Sequence, residues 1–95
     1  MNLTDEEKER VRVAIYLAVG KRLEDDDEKA ELRLEDVAIE RSSRGANIVD
    51  ILLYGRRGMY PASVLQNEDS LVENCYSRTW LSEFAAEVAN TLVNQ

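Results

Sequence analysis

The stretch "LRLEDVAIERSSRGANIVDILLYGRRGMYPASVL", residues 32–65, decides whether this chain mixes strands with helices or is helical throughout. Apolar side chains alternate at Leu32 and Leu34, and again at Val37 and Ile39, with a slip of register at Asp36. A period of two marks a half-buried strand. Residues 48–54, "IVDILLY", are β-branched and aromatic, and the run is short enough to be a buried strand. Turn chemistry separates these segments at 42–47 and in "GRRG" at 55–58. Pro61 lacks a backbone N–H, so any third strand around "MYPASVL" belongs at a sheet edge. The pattern predicts a short antiparallel meander. The same residues include strong helix formers that Gly45 could terminate, which keeps an all-α small helical domain as the alternative.

Outward from the meander, the N-terminal side opens with a helix. Thr4 and Glu7 have the spacing of a capping box, in which each side chain satisfies the other's backbone N–H. Asp5, Glu6 and Glu7 suit the positive end of the helix dipole. Val11, Ala14, Ile15, Ala18 and Val19 then form one apolar stripe, but Val13, Tyr16 and Leu17 make the middle apolar nearly all round. Such a helix is either central to its domain or faces a second chain. Val11, Ile15, Tyr16 and Val19 are its candidate core or dimer face. Gly20 weakens a helix by about 1 kcal/mol, which predicts a close approach there.

On the C-terminal side, residues 68–77 read as a short helix or loop. Thr79 is positioned to cap a final helix that begins at Trp80. Leu81, Phe84, Ala85, Val88 and Leu92 share one face of it, opposite Glu83, Glu87, Asn90 and Asn94. The expected architecture is therefore α+β: an N-terminal helix, a short antiparallel meander and a C-terminal amphipathic helix, in a single domain over residues 1–95.

The net charge of −7 is divided as −4 over residues 1–31, +1 over 32–60 and −4 over 61–95. Acidic ends make nucleic acid an unfavoured ligand, because phosphate binding needs a dense basic stripe. Every base after Lys29 is arginine, the cation favoured in protein interfaces. The single Cys75 excludes an internal disulfide framework. The longest apolar run, Val13–Val19, is far shorter than the ~20 residues that span a bilayer. Together with a charged N-terminus that lacks the apolar segment of a signal peptide, these features lead to the expectation of a soluble, intracellular, cytoplasmic protein with no membrane partner.

Catalytic chemistry has few carriers. With no histidine, the commonest general base and metal ligand is absent. The near neighbours of Cys75 in "VENCYS" are acidic or neutral, whereas a reactive thiol wants an electropositive setting. Four scattered glycines form no phosphate-binding loop. No cofactor is implied. The acidic run "EDDDE" at 24–28 also fails as a calcium loop. Counted from Asp25, it puts Lys29 at the fifth position, Ala30 where glycine is needed and Asp36 where a bidentate glutamate closes the site. A solvated connection after the first helix is the expected form of this run. The segment "YGRRGMY" carries Tyr54, Arg56, Arg57, Met59 and Tyr60, residue types enriched at binding hot spots, and is the candidate partner-binding cluster.

Residues 9–25, "ERVRVAIYLAVGKRLED", resemble the first helix of the centromeric, S-type histone-fold subunits. That resemblance implies a heterodimer with another histone-fold chain, but it needs a long central helix that residues 32–65 do not match. The sequence thus points away from an enzyme. It favours a protein–protein interaction module, a small acidic subunit or adaptor that pairs with itself or another protein. An acidic mimic or immunity-type inhibitor is the alternative.

Overall fold

The computed structural model describes residues 2–56 and 60–95. Helix α1 (Asp5–Arg22) is followed by a short α2 (Asp26–Glu31) and a 3-10 turn at Leu34–Asp36. Strands β1 (Val37–Arg41), β2 (Ile48–Leu53) and β3 (Ala62–Asn67) come next, then helices α3 (Glu68–Asn74) and α4 (Arg78–Val93). The strands form one antiparallel sheet in chain order, so the fold is α+β. The all-helical alternative is set aside. So is the histone-fold architecture, because three strands occupy the place of its long central helix.

Register explains the core. Val37 lies opposite Leu53 and Ile39 opposite Ile51, while Ile51 and Leu53 face Val64 and Ala62 on β3. With a side-chain period of two, these residues share one face of the sheet. Val37, Ile39, Val49, Ile51 and Leu53 are buried, and helices α1 and α4 pack with them in one hydrophobic cluster. Leu32 and Leu34 do not extend the strand. Leu32 caps the end of α2 and Leu34 opens the 3-10 turn. The slip at Asp36 marks that turn: its Oδ2 accepts the Arg33 N–H at 2.9 Å, and its carbonyl accepts the Tyr54 N–H at 2.8 Å.

The capping box of α1 forms as its spacing predicts, with Glu7 N–H donating to Thr4 Oγ1 at 3.1 Å and Thr4 N–H to Glu7 Oε1 at 2.9 Å. Val11, Ile15 and Val19, one helical turn apart, enter the core. Gly20 departs from expectation. A Cβ built there would meet only Leu32 Cδ2 at 3.9 Å, an ordinary contact, so no close approach demands glycine.

Two helix starts differ from the sequence reading. The run "EDDDE" does not trail away from α1. Asp25 caps α2 by accepting the N–H groups of Asp27 at 2.8 Å and Glu28 at 3.4 Å. Asp26, Asp27 and Glu28 then occupy the first turn, where the dipole favours acids, and all five carboxylates remain exposed. At α4 the cap is Ser77 rather than Thr79: Ser77 Oγ accepts the Trp80 N–H at 3.3 Å, and the helix begins at Arg78. The apolar stripe predicted for α4 is buried, together with Ala89. Trp80 stacks on Phe84 with centroids 4.8 Å apart.

Side chains cover parts of both sheet edges. Arg12 Nε donates to the Val37 carbonyl at 2.8 Å and Arg12 Nη2 to the Leu34 carbonyl at 3.1 Å. Across the sheet, the Ser63 N–H donates to Gln95 Oε1 at 3.0 Å, and Gln95 Nε2 donates to the Ser63 carbonyl at 2.7 Å.

Candidate interaction surface

Once Val11, Ile15 and Val19 are committed to the core, helical geometry decides where the other apolar residues of α1 go. Two residues on from a buried row is a rotation of about 200°. Val13 and Leu17 therefore turn outward and are 36% and 56% exposed. Ala14 and Ala18 lie between the two rows and are half-buried. From α4 come Leu81, Ser82, Ala85 and Ala86, three of them small. Small side chains on both helices leave an open groove of about 840 Å³ between α1 and α4, with Val13 and Leu17 in its wall.

Six charged side chains rim the groove: Glu6, Glu9 and Arg10 towards the start of α1, Lys21 and Arg22 at its end, and Arg78 at the start of α4. Arg10 is partly committed, since its Nε donates to the Cys75 carbonyl at 2.7 Å and its guanidinium lies 5.3 Å from the Tyr76 ring centroid. Arg22 Nη1 donates to the Ala18 carbonyl at 3.0 Å. Glu9 pairs with Arg12 on the flank of the helix.

The residues singled out from sequence are distributed differently. Val11, Ile15 and Val19 are core residues, and Tyr16 packs half-buried against that core. Tyr54 is 41% exposed and its hydroxyl donates to Glu40 Oε2 at 3.3 Å. Arg56 is turned inward. Its side chain is 16% exposed, pairs with Glu28 of α2 and donates to the Val93 carbonyl at 3.4 Å, tying the segment after β2 to two helices. Tyr60 is 84% exposed. Arg57 and Met59 lie outside the described residues. The groove residues Leu17, Ser82 and Ala86 were not singled out. For Leu17 the sequence signal is the excess of apolar residues around the middle of α1; Ser82 and Ala86, on α4, carry none.

Among the described residues, three groups have altered acidity. Burial pushes the Cys75 thiol up, the nearby Glu7 carboxylate adds to this, and Arg10 opposes it. The thiol is fully buried and held protonated, which makes it a poor nucleophile. Tyr54 is raised by desolvation and then by Glu40, and Tyr76 by desolvation and then by Glu7 and Glu6. Among the described residues, no group of three histidine, cysteine or carboxylate side chains is placed to hold a metal ion. No described helix is long and apolar enough to cross a membrane. No protein-family model matches the chain, and comparison with curated proteins and with solved structures finds no significant relative.

Proposed function

We propose that this protein is a non-enzymatic interaction module that receives an amphipathic helix in the groove between α1 and α4. The observation that carries this reading is Leu17, a large apolar side chain left 56% exposed beside a trough of alanine and serine. Helix-in-groove recognition uses this arrangement: apolar anchors spaced along one helix face enter a groove that charged residues border. Small residues allow the incoming backbone to approach closely, and the rim charges fix its direction. The protonated, buried Cys75 adds support to a binding role over a catalytic one.

A photo-reactive benzophenone side chain introduced at Ser82 tests the reading. It should form adducts in a native lysate, while the same group at exposed Ser43, in the β1–β2 turn, should not. Absence of adducts specific to position 82 would remove the groove as a docking surface.

A further inference from the structure

We infer that the helix received by the groove is α1 of a second copy of this chain, laid antiparallel about a two-fold axis. This rests on the docking reading above and adds the identity of the occupant. Along the outer face of α1 the order is Glu9, Val13, Leu17, Lys21: acid, apolar, apolar, base, each one turn from the next. That order is its own complement when reversed. In an antiparallel pair centred at the level of residue 15, Val13 of each copy faces Leu17 of the other, and Glu9 faces Lys21. Each charged pair then lies about 9 Å along the axis from the dyad, at a rise of about 1.5 Å per residue.

Glu9, whose Oε2 already meets Arg12, then bridges that arginine and the other copy's Lys21, and the remaining rim charges are compatible with this register. Glu6 of one copy comes within a helical turn of Lys21 and Arg22 of the other. Exposed Glu24, just beyond α1, is brought to the end of the groove where Arg10 and Arg78 stand, so the cations at that end gain an acid. A parallel arrangement would set Glu9 against Glu9 and Lys21 against Lys21. A two-fold interface in which each patch contacts itself is also the commonest form of self-association.

Sedimentation equilibrium in about 150 mM salt, where screening over roughly 8 Å tempers the net −7 of each copy, reads the outcome. The wild-type mass should rise with concentration from 10.8 kDa towards twice that value. Leu17→Asp should weaken self-association at least about 100-fold, because each copy would bury a carboxylate at the apolar centre. Glu9→Lys and Lys21→Glu should each weaken it by about tenfold, with unchanged far-UV circular dichroism as the check that both fold. An equimolar mixture of these two variants should regain wild-type association. In the mixed pair, the copy with two bases on this face meets the copy with two acids, and both charged contacts are restored.

A wild-type chain that stays monomeric to about 1 mM overturns self-pairing. So does a dimer insensitive to Leu17→Asp, or a mixture that associates no better than its components. The docking reading fails separately: it falls only if the benzophenone at position 82 captures nothing, whereas a monomeric wild type that still gives adducts retains the groove and replaces the occupant.

Discussion

Glu68 is 2% exposed, yet it carries a carboxylate. Its Oε2 accepts the Leu3 N–H at 3.0 Å and meets Arg41 Nη2 at 3.4 Å, while Oε1 has no hydrogen-bond partner among the described residues. Removing the side chain should separate two contributions. Glu68→Ala leaves the Leu3 N–H without an acceptor in a place that is 7% exposed, at a cost of about 1–3 kcal/mol. Loss of the buried methylene stem adds roughly 1 kcal/mol. Arg41 contributes little because its side chain is 53% exposed and can turn to water. The expected loss is about 2–4 kcal/mol, which in a domain of this size lowers Tm by more than about 10 °C. Glu68→Gln keeps an oxygen for Leu3 and removes the buried charge, so it should stay within about 1 kcal/mol of wild type. Urea unfolding at about 10 µM, followed by circular dichroism with a common slope, gives both values. Equal losses for the two variants would refute the reasoning, because the charge and not the accepted N–H would then be what the fold requires.

Arg56→Ala should cost about 1 kcal/mol, more than an exposed turn arginine, and should speed amide exchange in α2, whose described side chains are otherwise unburied. Unchanged exchange in α2 would show that the Glu28 pair does not hold it. Gly55→Ala should destabilise by about 1 kcal/mol because its φ of 80° penalises a side chain, whereas Gly20→Ala should be neutral or stabilise by up to about 0.5 kcal/mol; the ratio of urea midpoints decides. Cys75 should resist iodoacetamide in the folded protein and react once urea unfolds it. The thiol and the phenols of Tyr54 and Tyr76 are all raised in the folded state, so the native protein holds those protons more tightly than the unfolded chain. Their share of stability is present below the unfolded thiol value of about 8.5 and declines as pH rises through the folded values. A urea midpoint that climbs above pH 9 would contradict this sign.

The meander is legible in the sequence because two local signals agree. Val37 and Ile39 alternate at the strand period, and "GRRG" and Pro61 bound the next segments with residues that helices reject. The helix starts are less legible. Ser77 and Thr79 are both competent caps, and no property within a few residues separates them; in the fold it is Ser77 Oγ that accepts the Trp80 N–H, and α4 begins at Arg78. At "EDDDE" the acids follow α1 directly, where its dipole opposes them. They instead begin a helix that Arg56 holds from 28 residues away in sequence. The groove is hidden for a related reason. Around the middle of α1 the stripe of Val11, Ile15 and Val19 is legible, but Val13 and Leu17 are as apolar as the residues of that stripe, and only the packing of the folded chain leaves those two outside the core.

The contact between Gln95 and Ser63 places a chemical clock on the sheet. A carboxamide offers one acceptor and one donor, the complement of a strand residue's N–H and C=O, so this side chain stands in for a fourth strand at that position. Hydrolysis of the amide would exchange the donor for a second acceptor and set an anionic oxygen against the Ser63 carbonyl. One attraction becomes a repulsion with no change in shape. The outer edge of β3, a strand that already exposes Leu65, would then be open to a strand from another molecule.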